Sequence, residues 1–232
     1  MSCCGFCSAE YEHNDIIFDD ICLDRLSKSN PIKHLDCILQ ICPQCGMVTD
    51  NLTKHHDRKQ YAEIIISKIN ACEEYQKILL DNKINPLEKK MLLAQIAGEN
   101  NIDAGWYNSN MDVKWFVYHN ASGNTEKAIY HLDKKRESVE LSIHNLQTFY
   151  NTDKITNDVL DSISNDILVL ADMYRQVANF NEAMEWLKLL EKHKFSNHKK
   201  VEKNAMKELV KLCKRQDTSR ATLPKLVFFC VK

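Results

Sequence analysis

The sequence predicts a mainly α protein, a helical-repeat body with a small metal-held head at its N-terminus. Three observations lead there. Two Cys-x-x-Cys pairs, Cys4-Gly-Phe-Cys7 and Cys42-Pro-Gln-Cys45, fall within the first 46 residues, with 34 residues between them. From about residue 54 onward, apolar residues recur at steps of three and four, the spacing of one helix face. Glycine and proline are scarce, five and four in 232 residues, so little breaks that stretch into short strands. The chain divides into a head over residues 1–53, a helical body over 54–215 and an apolar tail over 216–232. The body is long enough to bury a core of its own, whereas a head of this size needs a staple.

Cysteine supplies the staple. Of ten cysteines, seven precede residue 46: Cys3, Cys4, Cys7, Cys22, Cys37, Cys42 and Cys45. The N-terminal Met-Ser-Cys-Cys-Gly-Phe-Cys lacks a basic region followed by an apolar core, and the longest apolar run, Leu226-Val-Phe-Phe-Cys-Val231, is far too short to span a membrane. A cytoplasmic protein is the expectation. There thiols stay reduced, and paired Cys-x-x-Cys spacing favours a metal over disulfides. Four thiolates are what a structural zinc ion takes tetrahedrally. Cys4, Cys7, Cys42 and Cys45 are therefore the predicted ligands of one structural Zn2+. Cys3 can replace Cys4 by a small shift. Cys22 and Cys37 lie outside the paired spacing and read as small apolar core residues, with a replacement ligand or a second site as the alternative. His13, His34, His55 and His56 read as polar surface residues.

Within the head, Ile16-Ile-Phe18 has the length of a strand. Ser29-Asn-Pro31 is a turn signal. Leu35-Asp-Cys-Ile-Leu-Gln-Ile41 reads as a second strand that delivers the chain into Cys42. In Cys42-Pro-Gln-Cys45-Gly46, proline fixes the turn and Gly46 can take the positive φ that follows. A strand leading into such a turn is the build of a zinc knuckle, so the head is zinc-ribbon-like.

In the body, Tyr61, Ile64, Ile65, Ile69, Cys72, Tyr75, Ile78 and Leu79 predict one helix over 57–81. Asn85-Pro86 restarts the chain as N-cap and first helical residue, with Met91, Leu92, Leu93, Ile96 and Ala97 facing inward. Ala104-Gly-Trp-Tyr107, with Trp115, Phe116 and Tyr118, reads as a packed aromatic cluster. Ile129, Leu132, Arg136, Val139, Ile143, Leu146 and Tyr150 predict a long helix started by Asn124 or Thr125, with Arg136 its one polar member. Val159, Ile163, Ile167, Leu170, Ala171 and Tyr174 mark the next helix. Ala178-Asn-Phe180 is a turn, and Ala183, Leu187 and Leu190 mark the partner. A last helix runs from about Asn197 to Arg215 through Val201, Ala205, Leu209 and Leu212. Pro224 and Asp217-Thr-Ser219 separate the tail from it. That tail should either dock its apolar side chains on the body, the favoured reading, or add a strand to the head or to another chain.

The stretch from Ile167 to Leu190 resembles a tetratricopeptide repeat. Leu170, Ala171, Tyr174, Ala178, Phe180, Ala183 and Leu187 fall on that motif's large, small, aromatic and turn positions, and the usual terminal proline is missing near Phe195. The chain as a whole resembles a bacterial family of unknown function, in which two such cysteine pairs precede a tetratricopeptide-like region. Pro31, the run from Leu35 to Ile41, Cys42-Pro-Gln-Cys45-Gly46 and Ala104-Gly-Trp-Tyr107 carry the likeness. It implies architecture and brings no activity.

The function that follows is a protein–protein interaction scaffold, with a protein or peptide partner and a structural zinc site. The alternatives are a zinc- or thiol-dependent enzyme, or a nucleic-acid-associated protein. Catalytic zinc keeps an open position and three protein ligands, and no His-Glu-x-x-His, glycine-rich phosphate loop or nucleophile elbow occurs. Cys4-Gly-Phe-Cys7 has the spacing of a redox pair but lacks its βαβ setting. Residues 1–56 carry eight Asp and Glu against four Lys and Arg, a net −4, which repels phosphates. Residues 196–232 carry a net +7, with Lys200, Lys203, Lys207, Lys211 and Lys214 along one helix side, which reads as a solvated face.

Overall fold

Eight helices and four two-residue strands make up the regular structure of the described residues, so the protein is mainly helical. The structure is a computed structural model that describes residues 2–11, 32, 35–36, 39–49, 52, 59–102, 111–149, 156–193 and 199–219. These residues form two compact units, one ending at Tyr118 and one beginning at His119. Residues 16–18, 104–107 and 220–232, with Cys22, Cys37 and His13, His34, His55 and His56, lie outside the described residues.

The first unit begins with two β-hairpins of the same design. Strand β1 (Ser2–Cys3) pairs antiparallel with β2 (Glu10–Tyr11), Cys3 opposite Glu10. Strand β3 (Gln40–Ile41) pairs antiparallel with β4 (Val48–Thr49), Ile41 opposite Val48. Each partner in the second hairpin lies 38 residues beyond its counterpart in the first. The approach to the second hairpin is not the continuous strand expected over 35–41. Leu35 and Asp36 are helical, and the Leu39 N–H donates to the Leu35 carbonyl at 3.2 Å. Leu35 and Leu39 are both buried, and four-residue spacing buries both from a helical turn.

Helices α1 (Lys59–Ala71), α2 (Glu73–Leu80) and α3 (Pro86–Glu99) follow, then α4 (Met111–Ala121), whose last residues belong to the second unit. The single helix expected over 57–81 is broken at Cys72, whose backbone is extended (φ −88°, ψ 100°). The α3 start is as the residues dictate. Pro86 opens the helix, and the Asn85 side chain accepts from the Leu87 N–H at 3.0 Å and the Glu88 N–H at 3.4 Å. Phe6, Leu39, Met47 and Leu52 from the hairpin region form one continuous apolar cluster with Ile65, Ile69, Tyr75, Met91 and Trp115 from the helices. Lys90 of α3 adds an ion pair to Asp36 at 2.7 Å.

The second unit contains α5 (Thr125–Phe149), α6 (Asn157–Gln176), α7 (Phe180–His193) and α8 (Lys199–Lys214). Helices α6 and α7 pack on each other across a three-residue connection, Val177-Ala-Asn179, in which Ala178 takes φ +62°. Ala171 and Tyr174 of α6 and Ala183 and Leu187 of α7 are buried. Helix α5 packs on α6, and α8 packs on both α6 and α7. The buried stripe of α5 is rotated from the expected one. Ala128, Leu132, Lys135, Val139 and Leu146 face inward, and Ile129 is exposed. The buried polar member is therefore Lys135, not Arg136, and Asp166 of α6 neutralises it at 2.7 Å. Arg175 is fully buried and paired with Asp172, at 2.8 Å from Nε and 2.7 Å from Nη2, and its Nη1 donates to the Asp217 carbonyl just past α8. Lys203, Lys207, Lys211 and Lys214 on α8 are exposed.

Candidate metal centre

Each hairpin turn is a Cys-x-x-Cys loop closed by the same backbone bonds. The Cys4 N–H donates to the Ala9 carbonyl at 2.9 Å, and the Cys42 N–H to the Met47 carbonyl at 2.9 Å. The Ser8 N–H returns to the Cys4 carbonyl at 2.9 Å, and the Gly46 N–H to the Cys42 carbonyl at 3.0 Å. Ser8 and Gly46 both take the left-handed conformation, at φ +60° and +72°. Gly46 meets the demand without strain, whereas Ser8 meets it with a side chain attached. Inside the loops, the Phe6 N–H points at the Cys4 sulfur (3.4 Å) and the Cys45 N–H at the Cys42 sulfur (3.5 Å). Such donors favour thiolate.

The two loops face each other. The sulfurs of Cys4, Cys7, Cys42 and Cys45 all lie within 4.8 Å of one another. Across the loops, Cys4 Sγ is 3.9 Å from Cys45 Sγ, and Cys7 Sγ is 3.6 Å from Cys42 Sγ. A tetrahedral ion with metal–sulfur bonds of about 2.3 Å sets its sulfurs roughly 3.8 Å apart. The four thiols thus fit a tetrahedral soft-metal ion in donor type, number and spacing, and can hold one.

Packing fixes this arrangement from several sides. Leu52, fully buried, accepts from the Gly5 N–H at 2.6 Å and donates its own N–H to the Gln40 side chain at 3.3 Å, so it laces the two hairpins together. The hydroxyl of buried Tyr75 donates to the Gly46 carbonyl at 2.8 Å. Leu79 lies against Gly46, where a Cβ would meet its Cδ2 at 2.5 Å. Cys4 and Cys42, the first cysteine of each loop, are buried, and Cys7 and Cys45 are partly exposed.

Four thiols so close share their protons unequally. Cys42 is driven far below the ordinary thiol range, chiefly by hydrogen bonds from Cys4 and then Cys45. Cys4 is pushed up to about 11, first by its hydrogen bond to Cys42. Cys45 is also pushed up, first by Cys4 and then by Cys42, with burial adding to it.

The sequence marked these four cysteines, and the structure brings all four together. Cys3 stays partly exposed on β1, outside the cluster. Leu52, Tyr75 and Ser8 carry the site as well and were not singled out. One signal for Ser8 lies in the sequence itself. Ser2-Cys-Cys-Gly-Phe-Cys-Ser-Ala-Glu-Tyr11 aligns without a gap on Gln40-Ile-Cys-Pro-Gln-Cys-Gly-Met-Val-Thr49, which sets Ser8 against Gly46.

Among the described residues, no helix is long and apolar enough to cross a membrane. No family model matches the chain, and neither any curated protein nor any solved structure is detectably similar to it. The likeness to a bacterial family therefore rests on the motifs quoted above alone.

Proposed function

We propose that this protein is an interaction scaffold whose N-terminal region is a zinc-ribbon-like element held by one structural Zn2+ on Cys4, Cys7, Cys42 and Cys45. The observation that carries the reading is the matched pair of loops with sulfurs at tetrahedral spacing. Four protein thiolates complete the coordination of zinc and leave no position for a substrate or an activated water, so the ion's role is structural. The packing of α6 on α7, with Ala171, Tyr174, Ala183 and Leu187 buried, supports a tetratricopeptide-like hairpin. Helical hairpins of this kind commonly present a surface to a peptide or protein partner. The protein purified without added metal should contain one zinc per chain by elemental analysis. A metal-free protein with unchanged melting temperature defeats the structural-zinc reading. Failure of the full chain to retain any partner over a bait surface at low stringency defeats the scaffold reading.

A further inference from the structure

We infer that the four-cysteine centre is a peroxide-reactive modification site, in which oxidation expels the metal and joins the two hairpins through Cys7–Cys42 and Cys4–Cys45 disulfides. The inference rests on the metal-site reading above and adds a regulation to it. Cys7 and Cys45 are partly exposed, while Cys4 and Cys42 are buried. Two sulfur pairs each set a partly exposed cysteine beside the buried one of the opposite hairpin, Cys7 beside Cys42 at 3.6 Å and Cys45 beside Cys4 at 3.9 Å. A sulfenic acid formed on either exposed sulfur therefore has its resolving sulfur already beside it, across the loops. Each disulfide must shorten its pair to about 2.05 Å. The backbone bonds that close each loop hold its own two cysteines on the turn.

The chemistry balances with a peroxide as the oxidant. Peroxide transfers one oxygen to the partly exposed thiolate, giving a sulfenic acid and releasing hydroxide. The opposite thiolate attacks that sulfur, forms the S–S bond and expels a second hydroxide. Two electrons leave the sulfur pair and break the peroxide O–O bond. A second peroxide oxidises the other pair, and the ion, left without thiolates, departs as Zn2+. Because the new bonds link the same loops the metal linked, the hairpins stay together in the oxidised form.

The test uses the full chain carrying Cys3→Ser, Cys22→Ser and Cys37→Ser. The tryptic peptides 1–25 and 34–54 then hold no cysteines except the four in question. The zinc content is measured first, and a value near zero counts against the metal-site reading, not against this one. Zinc-loaded protein is then treated with hydrogen peroxide. Released zinc is read with a colorimetric chelator, and disulfides by peptide mapping without reduction. The expected result is loss of the bound zinc in step with covalent joining of peptide 1–25 to peptide 34–54, both reversed by a dithiol reductant and fresh zinc. Disulfides confined within each peptide, or zinc retained while free thiols elsewhere in the chain are consumed, overturn the inference.

Discussion

The hydroxyl of Tyr75 donates a hydrogen bond to the carbonyl of Gly46 across 2.8 Å, and the bond is fully buried. It reaches from helix α2 to the residue that follows the last cysteine of the centre. Gly46 sits in the left-handed conformation that closes the second loop, so this bond holds the loop at its most demanding residue. Tyr75→Phe leaves a buried carbonyl without its donor, which costs about 1–3 kcal/mol. Chemical denaturation should report that loss, and a chelator competition should report weaker zinc retention. Unchanged values in both would mean that the loop is held by its own backbone bonds.

Ser8 and Gly46 occupy the same place in the two loops but respond oppositely to substitution. Gly46→Ala adds a Cβ at φ +72° and drives it into Leu79, so a destabilisation of about 1–3 kcal/mol is expected. Ser8→Gly relieves a left-handed serine and should stabilise the protein by up to about 1 kcal/mol, less the entropy that glycine adds to the unfolded chain. Thermal melts of the two zinc-loaded variants give the comparison. A stabilised Gly46→Ala protein would contradict the geometry.

Metal uptake should release protons. In the metal-free centre Cys4 is pushed up to about 11 and Cys45 also lies above the ordinary thiol range, so both carry protons at neutral pH. A folded-state pKa raised in this way contributes stability below the ordinary thiol pKa and loses it as pH rises through the folded value. The metal reverses the sign, because it binds thiolates and stabilises the fold increasingly as protons become scarce. With at least these two protons expelled, apparent affinity should rise by a factor of about a hundred or more per pH unit near neutrality and fall as the solution is acidified. Calorimetric titration with zinc in two buffers of different ionisation heat counts the protons. Release of fewer than one proton would refute this picture of the thiols.

Much of the centre was legible because spacing encodes it. A Cys-x-x-Cys pair followed by glycine announces a tight loop, and Asn85-Pro86 announces a helix start, since both are local chemistry. What was not legible depends on neighbours distant in sequence. The break at Cys72 is hidden by an apolar pattern that runs through it, and only the docking of Tyr75 against Gly46 makes sense of the new direction. In α5 the stripe through Ile129 and Arg136 and the stripe through Ala128 and Lys135 fit helical spacing equally well. Asp166, on another helix, decides for the second by neutralising Lys135. The second hairpin was legible as a knuckle, yet its likeness to the first emerges only when the two cysteine loops are aligned residue by residue.

In the second unit, Arg175 is a buried cation held by Asp172 and by the carbonyl of Asp217. Gln176 donates to the other carboxylate oxygen of Asp172 at 2.7 Å, so both oxygens are engaged. Arg175→Ala removes the cation and its bonds to Asp172 and to the Asp217 carbonyl, at a cost of about 3–5 kcal/mol. Arg175→Ala with Asp172→Ala should recover part of that loss, because the carboxylate leaves together with the cation. Denaturant melts of the single and double variants test it. Equal losses in the two would mean that packing, not charge, holds this position.

A separate head of about 50 residues would unfold alone when its ion is removed. The structure joins it to more, because Cys4, Phe6, Cys42 and Met47 share one buried cluster with Ile65, Ile69, Tyr75, Met91 and Trp115. Helix α2 also anchors the second loop through Tyr75 and Leu79. Structural zinc contributes on the order of 10–16 kcal/mol in finger peptides, more than small domains have in reserve. Cys42→Ser, or removal of zinc by a chelator, should therefore loosen α1, α2 and α3 along with the hairpins. Helices α5 to α8 have their own core around Leu132, Val139, Ile167, Leu170, Leu190 and Leu209 and should stay folded. Hydrogen exchange read by mass spectrometry separates the cases. Amides in residues 59–99 should lose protection while those in 157–190 keep it. Full protection across 59–99 would mean that the helices of the first unit stand without the metal, and loss in both stretches would mean that the chain unfolds as one.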